Sequence, residues 1–331
     1  MKPTVALIHG GEGYEHDISL LGAKNLSAMI CREKYEVIPV LIDKNGNWLT
    51  DGGKTQVFPV LLGKESGLLS ERGLLRLDIA IPLLHGDRGE DGAVIGALKS
   101  AHIKFIGCDI LPSALTADKI SAKLIARALG IPTADFVFST DADRDGAVER
   151  AEKALTYPMF VKPSGLGSSI GISKAYDKDG LIRAYENALK YSKRILIENT
   201  VEVKRELECA FADFGGKRFI TPPGEVLIRG FYDFDKKYGG ETEVETSAKV
   251  PDGIKKQAIA YSELLTKVLG VRHLGRVDFF LSDDGNLYFN EINPIPGMTG
   301  ESLYLKLLKK AGIGEGDFLR YAVRSLGGVS L

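Results

Sequence analysis

The first third of the chain alternates strand-like and helix-like segments, which limits its possible folds. The strand-like runs are residues 5–8, 36–42, 77–84 and 103–106, and the helix-like segments are residues 18–30 and 92–100. This alternation predicts βαβ units, in which parallel strands form one sheet that helices cover. Residues 45–70 are richer in glycine and polar side chains and are expected at the periphery of this α/β unit.

A second pattern begins near Leu111-Pro112. A predicted helix, Asp118–Leu129, ends at Gly130-Ile131-Pro132. The elements expected next are strands at 136–138, 158–162 and 194–198 and helices at 148–155 and 178–191. From about Glu206 the pattern is mostly strand, followed by an amphipathic helix at 254–269, a hairpin and two closing helices. The length of 331 residues allows two or three domains.

The balance of charge and the cysteine content exclude several classes of protein. Lys and Arg number 43 and Asp and Glu 44, so neither nucleic acid nor a membrane surface is expected as the main partner. Cys31, Cys108 and Cys209 are few and far apart, which is typical of reduced residues in a cytosolic protein. We expect no signal segment and no membrane span, because a strand follows the N-terminus directly and no apolar run is long enough.

Two apolar runs near the end of the chain, Gly275–Phe280 and Tyr288–Asn293, have the composition of strands. The segment between them contains Asp283, Asp284 and Gly285, which favour a turn. The sequence therefore predicts that the two runs pair.

Four polar side chains interrupt these apolar strands. Because side chains alternate along a strand, Arg276 and Asp278 point to one face, and so do Glu291 and Asn293. In a suitable register, one cation and three oxygen ligands share a surface. Mg²⁺ prefers carboxylate, amide and phosphate oxygens, which favours a metal–phosphate site over a solvated hairpin face.

Lys162 ends an apolar strand and leads into a loop rich in Gly and Ser, Pro163–Gly171. Glycine lets backbone N–H groups surround an anion, serine adds donors and a lysine at a strand end needs a partner. The alternative is a flexible connection between strands. The chain has neither a P-loop motif nor the G-x-G-x-x-G fingerprint of dinucleotide binding.

Two charged loops, His9–Asp17 and His85–Gly92, follow predicted strands. Small ligands bind at the carboxyl ends of strands in open α/β sheets. Helix capping explains Asp17 but not Glu15, which suits an ammonium group. His85 is either a hydrogen-bonding residue at the edge of the core or a substrate contact.

Two further segments have competing interpretations. Residues 231–238, FYDFDKKY, lie in a long irregular segment typical of a lid, although Tyr238 also suits simple packing. The acidic residues from Asp141 to Glu152 match the spacing of an EF-hand loop. A strand-like segment, Phe136–Phe138, precedes them where an EF-hand needs a helix, so an exposed turn is favoured over a calcium site.

In this order, the motifs resemble those of the D-alanine–D-alanine ligases of the ATP-grasp superfamily, over nearly the whole chain. The segments that carry the resemblance are Gly10-Gly11 through Glu15 and Ser19, LHGDRGEDG (84–92), KPSGLGSS (162–169), FYDFDKKY (231–238), GRVDFF (275–280) and NEINPIPGM (290–298). The resemblance implies an α/β and α+β ATP-grasp fold of three domains. These are an N-terminal parallel-sheet (preATP-grasp) domain at 1–110, a central domain at 111–198 and a C-terminal domain with metal site and lid at 199–331.

The resemblance also implies an activity and its groups. The activity is ATP-dependent ligation of two D-alanine molecules through an acyl phosphate, for peptidoglycan precursors, by a cytoplasmic homodimer that pairs through its first domain. The implied cofactor set is ATP with two Mg²⁺ ions, for which Mn²⁺ substitutes. The implied ATP and metal residues are Asp278, Glu291 and Asn293 for metal, Lys119, Lys162 and Lys237 for phosphates, and Glu198 and Glu206 for adenine and ribose. The implied substrate residues are Glu15 for the ammonium of the first D-alanine, His85 beside it, Ser168 and Tyr238 tying the lid to Glu15, Arg276 and the backbone near Gly297 for the oxyanion, and Ser302 and Leu303 for the second carboxylate.

The chain departs from the family pattern at Leu166, Asn199 and Glu301. Glu301 adds a negative charge next to Ser302, which bears on the choice of acceptor. Two alternatives therefore stand beside the first hypothesis: an ATP-grasp ligase with another acceptor such as D-serine, and a non-catalytic nucleotide-binding or calcium-sensing protein.

Overall fold

The computed structural model describes residues 2–30, 33–140, 143–214, 217–227 and 243–314. The helices are α1 (His16–Met29), α2 (Ala93–Ser100), α3 (Ile110–Ala117), α4 (Lys119–Ala128), α5 (Arg144–Ala154), α6 (Lys178–Leu189), α7 (Asp252–Val268) and α8 (Leu303–Lys310). The strands of the first part are β1 (Thr4–Gly10), β2 (Glu36–Ile42), β3 (Trp48–Thr50), β4 (Thr55–Gln56), β5 (Phe58–Leu62), β6 (Glu65–Ser70), β7 (Gly73–Arg76) and β8 (Ile79–Pro82). The later strands are β9 (Phe136–Ser139), β10 (Met159–Pro163), β11 (Ser173–Ala175), β12 (Ile195–Asn199), β13 (Val203–Phe214), β14 (Lys217–Ile220), β15 (Gly224–Leu227), β16 (Glu243–Glu245), β17 (Leu274–Ser282) and β18 (Leu287–Asn293).

The first sheet has the order β4-β3-β2-β1-β8, and β1 pairs in parallel with both β2 and β8. The predicted parallel α/β sheet is therefore confirmed. Strand β1 is buried along most of its length, which explains why its sequence is a continuous apolar run without alternation. Residues 45–70 contribute β3 to β6, and β5, β6 and β7 form a separate three-stranded sheet.

The strand predicted at residues 103–106 is wrong. The structure has only an isolated parallel bridge there, between Ala80 and Phe105. The backbone turns on either side of this segment, with positive φ angles of 56° at His102 and 128° at Gly107. A run between two such turns is too short to extend the ladder beyond the bridge.

The second sheet is antiparallel, with the order β11-β10-β12-β9. Helices α5 and α6 pack on it, and their apolar residues share a core with β10 and β12. Phe160 of β10 lies opposite Glu198 of β12, and Lys162 opposite Leu196. Lys162 and Glu198 are thus diagonal neighbours on one face, the face away from that core.

The third sheet has the order β16-β15-β13-β17-β18, with β14 paired to β13. The predicted hairpin is confirmed as β17 and β18, which pair antiparallel with a bulge after Asp278. Helix α7 packs against β13, β14 and β18, and α8 packs against β13. Of the two predicted closing helices, the second falls on residues 315–331, outside the described part of the chain.

One hydrophobic core joins the beginning of the chain to its end. It contains Leu7 and Leu83 of the first sheet and strand-end loop together with Ala210 of β13 and Tyr304 of α8. Within the described residues, no helix is sufficiently long and apolar to cross a membrane.

Candidate active site

A cavity of about 690 Å³ lies between the second and third sheets. Its size is that of a typical small-molecule site. The predicted site residues that line it are Lys119, Lys162, Ser168, Glu198, Glu206, Arg276, Asp278 and Glu291. The structure thus brings together predicted residues that lie far apart in the sequence.

Glu198 lies at the floor of this cavity between two lysines. Its Oε2 is 3.0 Å from Nζ of Lys123, and its Oε1 contacts Nζ of Lys162. Burial alone would raise the pKa of Glu198, but the two lysines outweigh it and lower this pKa to about 2. The carboxylate is therefore ionised and engaged on both oxygens.

Lys123 is a residue that the sequence analysis missed. It is 1% exposed, and its Nζ also lies 3.5 Å from the carbonyl oxygen of Phe289. The available signal was its position one helical turn after Lys119 in α4, which places both lysines on one side of the helix. A lysine on a helix is ordinarily solvated, so this spacing alone does not indicate burial.

We expect Lys123→Met to lower the free energy of unfolding by about 3 kcal/mol, because it leaves a buried carboxylate with one partner fewer. Urea titration at neutral pH measures this loss. Glu198 stabilises the fold above its ordinary pKa of 4.5, and this contribution is lost as the pH falls towards about 2. In the variant, Glu198 lacks one of the two lysines that lower its pKa, so this contribution should be smaller and its loss should be complete at a higher pH than in the wild type. A free energy of unfolding equal to that of the wild type, both at neutral pH and over this acid range, would contradict the stabilising role of the Lys123–Glu198 pair.

A hydrogen-bond network at the start of α4 holds Lys119 and Lys162, the two lysines in the described residues that the resemblance implies for phosphates. Asp118 caps the helix by accepting a bond of 2.8 Å from the Ser121 N–H. It also accepts bonds from the Ser164 hydroxyl at 2.6 Å and from Arg194 at 2.9 Å. Burial acts to raise the pKa of Asp118, but these hydrogen bonds outweigh burial, so the pKa lies below its ordinary value. Because Ser164 follows Lys162 closely, the network fixes Lys162 relative to Lys119.

Lys119 connects the Gly-rich loop with the hairpin. Its Nζ donates to the carbonyl oxygen of Leu166 at 2.6 Å and lies 3.2 Å from Oε2 of Glu291. Leu166, which departs from the family pattern, therefore contributes a backbone group that its side chain does not alter.

The hairpin places the four predicted polar residues on one face, as predicted. Arg276 lies opposite Asn293, and Asp278 lies opposite Glu291. Arg276 donates two bonds of 2.7 Å to Asp278, and Asn293 Nδ2 lies 2.9 Å from Asp278 Oδ2. Within the described residues no three His, Cys, Asp or Glu side chains form a metal-type group, and the predicted set has two carboxylates and one carboxamide.

Arg276 is buried among negative charges. Besides Asp278, it pairs with Glu208 at 3.3 Å. Burial acts to lower the pKa of this guanidinium, but Asp278 and Glu208 hold it well above the ordinary value. Glu208 is a second residue that the sequence analysis missed; its position two residues after Glu206 in β13 puts both on one face of the strand.

Glu15 reaches from the first strand-end loop to the Gly-rich loop, where it accepts a hydrogen bond from the Ser168 hydroxyl. A Cβ at Gly86 or Gly167 would lie 2.7 or 3.0 Å from Glu15 Oε2, so a side chain at either position would displace the Glu15 carboxylate. Ser168 itself has a left-handed backbone, with φ 51°, which is unusual for a serine. The predicted connection between Glu15 and Ser168 is thus present.

Glu90 of the second strand-end loop lies close to Glu15. It accepts a bond of 2.8 Å from the Gly86 N–H. Burial and the Glu15 carboxylate raise the pKa of Glu90 to about 8. At neutral pH Glu90 therefore carries a proton, which reduces the negative charge around Glu15.

The remaining predicted substrate residues lie in two loops that do not line the cavity. His85 is 7% exposed at the end of the first sheet. Ser302 is the N-cap residue of α8, and Leu303 is the first residue of this helix and is 5% exposed. A Cβ on Gly297 would lie 3.9 Å from Ser302 Oγ. Lys237 and Tyr238 of the predicted lid lie outside the described residues.

Two departures from the family pattern have simple structural roles. Asn199 Oδ1 accepts a bond of 2.9 Å from the Thr156 N–H, so its side chain holds the connection between α5 and β10 to the end of β12. Glu301 is exposed and pairs with Lys306 of α8 at 2.7 Å. The negative charge of Glu301 is therefore partly balanced by a lysine of the helix that follows it.

The EF-hand-like segment is a helix cap in its described part. Asp143 accepts a bond of 3.0 Å from the Gly146 N–H at the start of α5 and pairs with Arg150 at 3.3 Å. Strand β9 precedes it, as the sequence predicted. Asp141 lies outside the described residues.

Comparisons with known proteins point to one family. The family model "D-ala D-ala ligase N-terminus" matches residues 4–108, and "D-ala D-ala ligase C-terminus" matches residues 125–322. A D-alanine–D-alanine ligase of Caldicellulosiruptor bescii is 37% identical over 335 residues, with 94% of this chain and 92% of the relative covered. D-alanine–D-alanine ligase A of Mesorhizobium japonicum is 37% identical over 339 residues, with 95% and 94% covered.

Solved structures agree. D-alanyl-alanine synthetase A from Vibrio cholerae superposes with a TM-score of 0.89 at 32% identity, with 98% of each chain covered. The VanG D-Ala:D-Ser ligase from Enterococcus faecalis also gives 0.89, at 28% identity, with 99% of this chain and 100% of that chain covered. Both similarities extend over the whole architecture, including all the sheets that form the cavity.

Proposed function

Because this chain belongs to the D-alanine–D-alanine ligase family, and is a ligase that forms a peptide bond with ATP, we propose that the cavity between the second and third sheets is its ATP site. The observation that carries this proposal is the convergence of Lys119 and Lys162 with Asp278 and Glu291 on one cavity. Cations and acidic ligands together suit a metal-bound triphosphate. Lys237 of the lid is proposed as a third phosphate contact.

The donor set supports a magnesium site. Asp278, Glu291 and Asn293 offer carboxylate and amide oxygens from one face of the hairpin, which are hard ligands of the kind that Mg²⁺ and Mn²⁺ take. We propose that these three residues would hold two ions. When bound, the ions would neutralise charge on the transferring phosphoryl group. Glu206, and Glu198 beside its two lysines, are proposed for ribose and adenine.

The first chemical step activates one D-alanine. Its ammonium group would lie against Glu15, beside His85, and its carboxylate oxygen would attack the γ-phosphorus of ATP. The bond to the bridging oxygen then breaks, ADP leaves with the electron pair and an acyl phosphate forms. Lys119 and Lys162 hold the transferring charge, and the link from Glu15 through Ser168 to the lid residue Tyr238 would exclude water from the acyl phosphate.

The second step forms the peptide bond. The amine of the second D-alanine, its carboxylate held at Ser302 and Leu303, loses a proton and attacks the acyl carbon. A tetrahedral oxyanion forms and then collapses as the C–O bond to phosphate breaks. We assign oxyanion stabilisation to Arg276 and a backbone N–H near Gly297, because a buried guanidinium is a strong donor to developing negative charge.

We expect phosphate release to require ATP and D-alanine together, and to equal D-alanyl-D-alanine formation one to one. A coupled phosphate assay and mass spectrometry of the product measure the two quantities on one sample. ATP turnover that is indifferent to D-alanine would contradict the proposal.

D-serine as acceptor is the second candidate, because the chain superposes on a D-Ala:D-Ser ligase as well as on the synthetase from Vibrio cholerae. We propose D-alanine as the acceptor, since the named relatives of highest identity act on D-alanine. Competition between the two acceptors over a pH series, read as the ratio of dipeptides, decides between them.

Four further features are proposed on the family resemblance. The product would enter peptidoglycan precursors, and the reaction would take place in the cytoplasm, where ATP is available. The domains would be residues 1–110, 111–198 and 199–331. The enzyme would be a homodimer through its first domain, where β5 exposes Phe58 and Leu62. Light scattering at several concentrations tests the dimer.

A further inference from the structure

One face of α1 contacts three separate segments that carry the proposed substrate groups. The residues on this face are Ser19, Gly22 and Asn25, which are spaced three apart and therefore lie in a row along the helix. The contacted segments are the loop that begins at Gly10, the loop that begins at Leu83 and the loop that contains Met298. Helix α1 thus supports both the loops proposed for the first D-alanine (the donor side) and the loop proposed for the second D-alanine (the acceptor side).

Ser19 and Gly22 contact the two loops on the donor side. Ser19 accepts a bond of 2.8 Å from the Gly10 N–H and donates to the carbonyl oxygen of Leu83. Gly22 allows close packing, since a Cβ there would lie 3.2 Å from the Leu83 side chain and 3.8 Å from Met298. The loops that follow Gly10 and Leu83 contain Glu15 and His85, both proposed for the first D-alanine.

Asn25 contacts the loop on the acceptor side. Its Nδ2 donates a bond of 2.7 Å to the carbonyl oxygen of Met298, a residue 273 positions later in the chain. Met298 is 2% exposed and belongs to the core shared by the two ends of the chain. This hydrogen bond is partly buried. A carbonyl that is partly withdrawn from water is destabilised when it loses its donor, so the bond holds the orientation of the peptide unit after Met298.

The fixed peptide unit lies between Gly297, which is proposed for the oxyanion, and Ser302, which is proposed for the carboxylate of the second D-alanine. Gly297 precedes Met298 directly. On the other side, Thr299 accepts a bond of 3.0 Å from the Ser302 N–H, which closes the turn that leads into α8. A displacement at Met298 therefore moves both Gly297 and Ser302, and a shift of about 1 Å in a substrate-positioning group changes rates by about 10²-fold.

We propose that Asn25 is a positioning residue for the acceptor half of the reaction, holding the loop of Gly297 to Ser302 in place. This inference rests on the proposed function, since it concerns the second D-alanine. It predicts a selective defect. The acceptor should bind more weakly, while ATP and the first D-alanine, held by other segments, should bind as before.

The test compares Asn25→Asp and Asn25→Leu, which remove the donor at nearly constant size, with Asn25→Gln, which keeps an amide on a longer side chain. Lys24→Ala, at the exposed neighbouring position of α1, is the matched control. D-alanine is varied over a wide range at saturating ATP to obtain separate KM values for the first and second D-alanine. Phosphate and dipeptide are measured together in each reaction, and thermal unfolding checks the fold.

For the Asp and Leu variants we expect the KM of the second D-alanine to rise at least about tenfold, with the other two KM values within about twofold of the wild type. Phosphate release should exceed dipeptide formation, because water competes with a poorly placed amine. The KM of the second D-alanine in Asn25→Gln should lie between the values in these variants and in the wild type. If the Asp and Leu variants do not fold, this KM in Asn25→Gln tests the inference. Equal changes in both D-alanine constants, or no change, would overturn the inference. Failure of the wild type and Lys24→Ala to form dipeptide would instead reject the proposed function.

Discussion

Glu291→Gln is expected to lower the rate of dipeptide formation by more than about 10³-fold, which corresponds to about 4 kcal/mol of transition-state stabilisation. The substitution keeps the size of the side chain but removes the charge that faces the proposed metal ions. It also removes the ionic partner of Lys119, whose Nζ lies 3.2 Å from Glu291 Oε2. Initial rates over a Mn²⁺ titration measure the effect, and the activity that remains should need more metal than the wild type.

Glu186→Gln is the matched control for this experiment. Glu186 pairs with Arg144 on the exposed side of α6, at 2.9 Å, and neither residue lines the cavity. This variant should retain wild-type turnover and wild-type metal dependence. Turnover of Glu291→Gln within tenfold of the wild type, with unchanged metal dependence, would show that the hairpin does not hold the metal.

Arg276→Met is expected to reduce kcat by about 10²–10³-fold, the usual loss when one oxyanion donor is removed. Arg276→Lys should lose less, because it keeps the charge but not the planar pair of donors. Stopped-flow or coupled assays at saturating substrates give kcat directly. The KM for ATP should change less than kcat, since the proposed role of Arg276 is in the second step.

The guanidinium also balances Asp278 and Glu208, so a loss of folding needs to be separated from a loss of catalysis. Arg144→Met, which removes an exposed guanidinium, serves as the control. Thermal unfolding of the Lys and Met variants gives the structural effect. A kcat in Arg276→Met close to that of the wild type would place oxyanion stabilisation on another group.

The pairing of the two strands and the alternation along each of them could be predicted from the sequence, because that information is local. Strand alternation puts Arg276 and Asp278 on one side of β17. The turn alone would place Asn290 opposite Asp278, and the bulge after Asp278 shifts the pairing by one residue and brings Glu291 there instead. The parallel first sheet was equally predictable from its βαβ pattern. The failure at residues 103–106 has a local cause too, since a positive φ at His102 is not evident from residue type.

Long-range partners were not predictable in the same way. Lys123 has the sequence environment of a solvated helical lysine, and only the fold places a carboxylate 3.0 Å from it. The bond from Asn25 to Met298 joins residues 273 positions apart, and neither residue type indicates the other. Such contacts follow from the packing of whole elements, for which a single sequence carries no periodic signal.

The hydrophobic core that unites Leu7 and Leu83 with Tyr304 has a consequence for biosynthesis. During translation, the N-terminal sheet emerges from the ribosome long before α8 exists to cover it. The part of its apolar surface that packs on α8 therefore stays uncovered until nearly the entire polypeptide has been made. Since contacts of such large sequence separation slow folding and leave intermediates prone to aggregate, nascent chains of this protein should depend on holdase chaperones until synthesis ends.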